Sequence, residues 1–248
     1  MADKPELKGE QSPSEWQIQT FYEQVFARRA EATELEAGLR FVTTQLTQPV
    51  QSNEETPVWQ YGYGGYDVEK KQVDFKKFAH FSKGEWRAGP KVPDPNFGFL
   101  LLRADSGHTG RDSKHAPIRR WTAPHDALIS IAGVIDRPSE HGDGVIGRIV
   151  SSRSGELSKY AVPPKGKQET RLDRIEVKRG EIIDFIVECG VDDNSDSFNW
   201  APLIQSDNGE WDAKIAFSGP PPPRPAPLRA WEKYAQVLLS TNEFVFVD

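Results

Sequence analysis

The sequence predicts a mainly β protein, in which an antiparallel, jelly-roll-like β-sandwich is inserted into a small helical unit. Both ends of the chain carry apolar residues at helical spacing. Between them, Gly, Pro, Asn and Asp punctuate short apolar segments, which is typical of all-β domains. We therefore expect an N-terminal helical segment (1–56), a sandwich (57–218), and a proline-rich linker with a C-terminal helix that packs on the N-terminal helices (219–248).

Two capping patterns predict where the N-terminal helices begin. Ser12 occupies an N-cap position followed by Pro13 and, three residues on, by Glu15, and Thr33 stands in the same relation to Glu36. A third apolar stripe follows the proline run. Each predicted helix has a single apolar face that needs a partner, so helices within 14–47 and 227–240 are expected to pack together. The three stripes are Ile18, Phe21, Tyr22, Val25 and Phe26; Leu35, Leu39, Val42 and Leu46; and Leu228, Trp231, Ala235, Leu238 and Leu239.

Short apolar segments between turn residues predict the strands of the sandwich. The turn over 177–181, with Gly180 free to take a positive φ, predicts a hairpin. In the strand after it, both faces carry apolar residues, so that strand is expected to be central. The predicted strands are 97–103, 118–123, 127–134, 145–152, 171–177, 181–188, 198–205 and 211–218.

Composition excludes several classes of protein. No run approaches the ~20 apolar residues of a membrane-spanning helix. The net charge is −6, and no long Lys/Arg run is present, so no nucleic-acid partner is expected. The single cysteine, Cys189, rules out a disulfide scaffold and covalent haem attachment, and we expect it to be a buried, inert thiol. No redox cofactor is expected on this chain.

The prolines at 220–223, 225 and 227 predict a stiff, extended spacer. A run of this kind can also serve as a ligand for an SH3-type domain, but a rigid linker is the commoner role beside folded segments.

Several stretches of the chain resemble one known family. The closing stretch 230–248, with Trp231, the Leu238-Leu239 pair and Asn242-Glu243-Phe244, resembles the C-terminal domain of unknown function of planctomycete-type secreted cytochrome c proteins. The stretches 21–29 and 33–42 resemble the helix pair just upstream in that domain. The segment between resembles a carbohydrate-binding-like sandwich module inserted there, with matching pieces at 59–64, 107–108, 116–121, 142–145 and 194–200.

The resemblance implies a place and a role for the chain. It implies the C-terminal end of a longer periplasmic or extracellular protein, whose remainder would contact the helical unit. This chain lacks the haem-bearing region and a signal peptide, so the family's redox chemistry is not carried over. The resemblance also implies that the chain is a non-catalytic module that binds a glycan or polysaccharide. A structural module that braces the parent protein is the alternative, and a hydrolase using His108, Asp112 and Asp143 is a distant third.

Aromatic and polar residues of the sandwich supply candidate ligand-binding side chains. Trp59, Tyr61 and Tyr63 share one side of a strand, where they either stack under sugar rings, together with Trp200, or face the core. In a neighbouring strand, one Arg is expected to pair with a carboxylate and the other to contact a sugar. The remaining candidates, expected to lie beside or hydrogen-bond a ligand, are His108, Arg119, Arg120, Trp121 and Asp143.

A run of hard oxygen ligands suits Ca²⁺. Asp192, Asn194 and Asp196 are candidate ligands of a structural calcium ion, although an unliganded polar turn explains the same residues. The EF-hand pattern fails because Ser197 and Leu203 replace its Gly and Glu. The Gly-rich loop with His108, Arg111, Asp112 and His115 matches no metal motif, and we expect its histidines to be solvated.

Overall fold

The computed structural model describes residues 14–47, 57–222 and 228–241. The chain forms two compact units, one made by helices near its two ends and one made by the strands between them. The protein is mainly β, its sheets are antiparallel, and helices flank them in sequence, which confirms the predicted fold class. In the described residues, no helix is both long enough and apolar enough to cross a membrane.

Three helices build the helical unit: α1 (Glu15–Phe26), α2 (Ala32–Thr47) and α3 (Ala230–Leu239). Their apolar stripes meet in one core that contains Ile18, Val42 and Leu238. Phe21 and Trp231 stack across the interface between α1 and α3, with ring centroids 5.6 Å apart. Segments from opposite ends of the sequence therefore share one hydrophobic core, which stabilises both.

Both N-terminal helices begin at other residues than the capping patterns predicted. The N-cap of α1 is Ser14, whose hydroxyl accepts a hydrogen bond from the Gln17 amide while the Gln17 side chain accepts from the Ser14 amide. Ser12 lies outside the described residues. Helix α2 begins at Ala32 because the Glu34 carboxylate accepts the Glu31 amide at 2.7 Å, so the prediction of Thr33 as N-cap was wrong.

Three antiparallel sheets form the sandwich unit. Their strands are β1 (Trp59–Asp67), β2 (Gln72–Lys77), β3 (His80–Ser82), β4 (Glu85–Arg87), β5 (Leu101–Leu102), β6 (Ser106–His108), β7 (Ala116–Thr122), β8 (Ala127–Ala132), β9 (Val134–Asp136), β10 (Val145–Ser151), β11 (Gly155–Val162), β12 (Lys167–Glu169), β13 (Leu172–Val177), β14 (Ile182–Cys189), β15 (Ser197–Asn199), β16 (Leu203–Ser206) and β17 (Gly209–Asp212). The strand orders are β11-β10-β14-β7-β1-β2, β12-β9-β15-β6-β5-β4-β3 and β13-β8-β16-β17.

Strand β14 lies between β10 and β7, as its two apolar faces predicted. Ile183, Phe185 and Val187 point into the main core, which also holds Trp121 and Trp200. Ile186 points to the opposite face and belongs to a smaller cluster under Phe75. A strand buried on both faces needs apolar residues at successive positions, and that is what made β14 recognisable in the sequence.

Several predicted strands are shorter or broken. Within 97–103 only Leu101–Leu102 is a strand, and the strand predicted over 211–218 ends at Asp212. The segment 198–205 is divided between two sheets, because 197–199 pairs with β6 and β9 whereas 203–206 pairs with β8 and β17. The segment 127–134 is likewise interrupted, at Gly133, between β8 and β9.

The turn over 177–181 is present, but it does not form a hairpin. Gly180 has a φ of 83°, as predicted. However, β13 pairs with β8, whereas β14 belongs to the six-stranded sheet. The turn therefore carries the chain from one sheet to another. Turn chemistry identifies a reversal of the chain but not the strands that pair after it.

Gly38 tests the packing of the helical unit. A Cβ at this position would lie 2.9 Å from Ile18 Cδ1 and closer still to the Tyr234 hydroxyl. We expect Gly38→Ala to lower the free energy of unfolding by about 1–3 kcal/mol, because overpacking outweighs the better helix propensity of Ala. Thermal unfolding followed by circular dichroism at 222 nm measures this. Thr43→Ala, at an exposed position of the same helix, is the matched control and should leave the free energy of unfolding unchanged or raise it. An equal increase in both variants would contradict the close packing at Gly38.

Cys189 ends β14 and is buried. Burial raises the pKa of its thiol to about 11, and neighbouring carboxylates, Asp196 first among them, add to the shift. At pH 8 about one thiol in a thousand is then ionised, so reaction with a disulfide reagent such as DTNB should be at least ~100-fold slower than in the chain unfolded by guanidinium. A native rate within tenfold of the unfolded rate would show that the thiol is accessible.

Candidate functional site

The loop groove is an open cleft of about 720 Å³ where three loops of the sandwich meet. It lies at the ends of β6 and β15, which pair antiparallel with His108 opposite Ser197. The side chains of these strand ends and of the adjoining loops converge on one cleft. Its lining residues are Pro93, Gly98, Phe99, His108, Arg111, Asp193, Asn194, Ser195 and Ser197.

Phe99 provides the apolar surface of the loop groove. Its side chain is 46% exposed, which is unusual for a phenylalanine in a unit with so many buried aromatics. Its ring centroid lies 5.3 Å from that of His108. An exposed ring held beside polar groups offers a flat apolar face to a ligand that carries C–H groups on one side and hydroxyls on its edges.

His108 presents one ring nitrogen to the loop groove. Its Nδ1 donates to the Thr109 carbonyl at 2.8 Å, which leaves Nε2 as the acceptor of the neutral ring. Nε2 has no hydrogen-bond partner among the described residues. A hydroxyl group bound in the groove can therefore donate to it.

Arg111 and Asp193 provide opposite charges at the groove. Both lie against Gly98, whose φ is 65°. A Cβ at Gly98 would lie 3.2 Å from Arg111 Cγ and would overlap the Asp193 carboxylate. The glycine thus allows both side chains to approach the loop that carries Phe99, and the groove offers charged donors and acceptors side by side.

A buried ion pair holds the walls of the groove. Arg137 Nη2 lies 2.9 Å from Asp196 Oδ1, and both side chains are fully buried. Arg137 also donates to the carbonyls of Ser139, at 2.7 Å, and of His141. Thr109 donates to the second Asp196 oxygen. Burial raises the pKa of Asp196, and the hydrogen bond from Arg137 opposes that rise.

The predicted stacking row lies in the core. Trp59 and Tyr61 are each 7% exposed, Trp121 and Trp200 are buried further, and Tyr63 is half-buried against Phe97 and His115. The prediction that these rings form a surface for a ligand was wrong. Alternation placed them correctly on one side of β1, but that side faces the opposite sheets.

The two arginines of β7 have structural roles. Arg120 forms a bidentate pair with Asp184 at 2.7 and 2.8 Å, which confirms that one Arg pairs with a carboxylate. Arg119 is buried and donates to the carbonyls of Trp200, Arg103 and Ser106. The prediction of a sugar contact by the second Arg was wrong, because Arg119 is 2% exposed and its guanidinium bonds to backbone carbonyls.

The other candidate polar residues are divided between the groove and its supports. Asp143 accepts the Val191 amide and lies against Gly190, outside the groove lining. Asp112 pairs with His115 at 2.9 Å, and the described residues show no hydrogen bond or ion pair that joins His108, Asp112 and Asp143 to one another.

The predicted calcium ligands are also separated by role. Asp192 accepts the Asn194 amide, Asn194 lines the groove, and Asp196 pairs with Arg137. Over 14–47, 57–222 and 228–241, no three His, Cys, Asp or Glu side chains are grouped closely enough to hold a metal ion. A calcium ion bound by Asp192, Asn194 and Asp196 therefore stays a prediction, and it would have to displace the Arg137 contact.

Comparisons with known proteins give structural neighbours only. No protein-family model and no curated protein matches the chain. It is similar to TmCBM61 in complex with β-1,4-galactotriose, at 13% identity over 61% of this chain and 90% of that one, with a TM-score of 0.31. A family 35 carbohydrate binding module from an environmental isolate matches at 16% identity, over 54% of this chain and 95% of that one, with a TM-score of 0.28.

A third structure is the Podospora anserina GH26-CBM35 β-(1,4)-mannanase, at 10% identity over 57% of this chain, with a TM-score of 0.28. This chain spans 26% of the mannanase. Identities and TM-scores are low throughout, so what these proteins bind is not transferred to this chain.

Sequence reasoning missed Phe99 because the apolar run 97–103 was interpreted as a strand. The available signal was the turn chemistry before it. Asp94 accepts the amides of Asn96 and Phe97, and Gly98 takes a positive φ, so the chain turns just before Phe99 instead of extending.

The Arg137–Asp196 pair can be tested by removing one charge. We expect Asp196→Asn to lower the free energy of unfolding by about 3 kcal/mol, because Arg137 would keep a buried charge without its partner. Chemical denaturation measures this. Asp173→Asn, which disrupts the exposed pair with Arg171, is the control and should change stability by less than about 1 kcal/mol. Equal effects of the two substitutions would show that the buried pair has no special role.

Proposed function

We propose that the sandwich is a non-catalytic module that binds a glycan in the loop groove. One observation carries the proposal: the exposed Phe99 ring lies in an open groove beside His108 Nε2 and the Arg111 guanidinium, for which the described part of the chain supplies no hydrogen-bond partner. A sugar ring has an apolar face that suits the phenyl ring and a rim of hydroxyls that suits the polar groups. The groove is open at its surface, as weak, reversible binding of a chain requires.

Each polar group has a distinct part in the proposed contact. His108 Nε2 accepts a hydroxyl proton, the Arg111 guanidinium donates, and Asp193 and the Asn194 side chain supply further acceptors. Arg111 and Asp193 have opposite charges, so the lining favours a neutral sugar over a strongly anionic polymer. The net charge of −6 favours the same choice.

The resemblance to planctomycete-type secreted cytochrome c proteins supports a proposal about context. Under this proposal, the chain is the C-terminal part of a longer periplasmic or extracellular protein. The helical unit would contact the remainder of that protein. Trp16 is 73% exposed on α1, and Val237 and Leu239 are about half exposed on α3, which suits a contact surface of this kind.

A structural brace is the second candidate function. The observation that favours it is the shared core of α1, α2 and α3, which joins segments near both ends of the sequence. In that role the helical unit holds the sandwich on the parent protein and the loop groove has no ligand. The two functions differ in whether substitutions in the groove change any binding event.

Phe99→Ala is the direct test of glycan binding. Soluble neutral and acidic polysaccharides are titrated into the full chain and binding is followed by calorimetry and by retardation in polysaccharide-containing native gels. We expect millimolar or tighter binding of a neutral polysaccharide, weakened about tenfold by Phe99→Ala through loss of the stacking face.

Leu128→Ala is the matched control, because Leu128 is 49% exposed and lines a different surface. It should leave the affinity unchanged. Binding that survives Phe99→Ala at full strength would remove the loop groove as the site. No binding of any polysaccharide at millimolar sugar would favour the bracing function instead.

A further inference from the structure

The segment that leaves the last strand lies along a second groove. We name Ala216–Pro220 the exit strap. It follows the aromatic groove, a cleft of about 490 Å³ beside β3 and β4. The side chains that define this groove come from short strands at the end of the seven-stranded sheet, where β3 has no further neighbour in the described sheet. Its lining residues are Phe78, Ala79, His80, Phe81, Ser82, Trp86, Arg87, Pro90 and Pro220.

Side chains of the sandwich hold the backbone of the exit strap at successive residues. Tyr61 Oη donates to the Ala216 carbonyl at 3.3 Å. The Phe217 ring lies 4.7 Å from the Tyr61 ring. Trp86 Nε1 donates to the Ser218 carbonyl at 2.8 Å. Two of these contacts are hydrogen bonds from aromatic side chains to carbonyls, so they recognise the path of the backbone.

Gly219 and Pro220, the next two residues of the exit strap, pack closely against the aromatic side chains. A Cβ at Gly219 would lie 2.6 Å from the Phe81 ring, so any other residue would push the strap away from the groove. Pro220 then lines the groove itself. A glycine followed by proline thus lies where the strap passes closest to the aromatic rings.

The sequence fixes an extended conformation at this point of the chain. Every residue over 219–222 precedes a proline, which disfavours helical backbone, and each proline holds its own φ near −65°. An extended proline-rich segment loses little conformational entropy on docking, and its carbonyls are free to accept. Aromatic rings with an indole N–H donor are the groups that recognise such segments.

We propose that the aromatic side chains beside the groove, those of Tyr61, Phe81 and Trp86, are a docking site for the extended backbone of the exit strap of the same chain. The groove then sets the point and direction at which the proline run leaves the sandwich. Stiff prolines alone could not fix this direction, because a stiff segment joined through a flexible residue can still change its orientation.

The same contacts disfavour a sugar at Trp86. The Trp86 ring lies 6.4 Å from the Tyr61 ring and 5.0 Å from the Phe81 ring, so other aromatic rings already pack against it. Its indole N–H is already bonded to Ser218. Trp86 therefore has no free donor for a hydroxylated ligand.

Backbone dynamics of the full chain test the proposal. The order parameter of the Gly219 amide, measured by ¹⁵N relaxation, should be near ~0.85 in the wild type and fall below ~0.6 in Trp86→Phe, which keeps a ring but removes the indole donor. A second variant changes the strap instead of the sheet: Pro220→Gly should increase the rate of hydrogen exchange of the Trp86 indole proton at least tenfold. This variant leaves every residue of the sheet unchanged, so it does not depend on how the sandwich tolerates substitution.

Trp211→Phe is the matched control, since no hydrogen bond from its indole is found in the described residues, and it should leave the Gly219 order parameter unchanged. An order parameter below ~0.6 in the wild type would overturn the proposal. So would a Gly219 amide that stays rigid in both Trp86→Phe and Phe81→Ala, or an indole exchange rate that Pro220→Gly leaves unchanged.

Discussion

The buried ion pair between Arg137 and Asp196 is the constraint on which the end of the sandwich that carries the loop groove depends. Taking two charges out of water is costly, and hydrogen bonds to both groups offset part of that cost, although Arg137 Nε has no partner among the described residues. Arg137 follows β9, Asp196 precedes β15, and Thr109, which completes the carboxylate's bonds, follows β6. The residues that form the ion pair and its hydrogen bonds thus come from three separate loops. These bonds therefore fix the loops relative to one another, and the loop groove takes its shape from them.

The sandwich divides its aromatic residues between two roles that composition does not distinguish. Most rings fill the core, where Trp121 and Trp200 are almost wholly buried. Phe99 is left outside because the turn at Asp94 and Gly98 ends the extended backbone before it. A loop position, held by a well-ordered scaffold, is where an exposed ring can serve a ligand without removing a contact from the core.

The proline-rich segment shows how local and tertiary effects combine. The prolines restrict the backbone to an extended form before any contact is made. Tyr61, Phe81 and Trp86 contact residues 216–219, which lead into the prolines, and hold them along the sheet edge. The same aromatic residue types that were candidates for sugar binding in the sequence here recognise the chain's own backbone. Their roles differ with their neighbours: Trp86 lies near two other aromatic rings and its indole N–H is already bonded, whereas Phe99 lies near the His108 ring alone among the described aromatic contacts and is 46% exposed.

The sequence by itself determined the features that depend on local periodicity and on special residues. These include the three helices, the central position of β14, the positive φ at Gly180 and the mainly β class of the middle segment. Of the residues that line the loop groove, it singled out His108 as a ligand-binding candidate and Asn194 only as a candidate calcium ligand, and it did not point to the Phe99 ring beside them. Only the tertiary structure decided which side of β1 faces the core, which Arg of β7 is buried, and that 177–181 joins two sheets. The physical reason is that alternation gives the relative orientation of side chains within one strand, whereas burial is set by which strands pair and which sheets pack together, and those contacts come from residues distant in the chain.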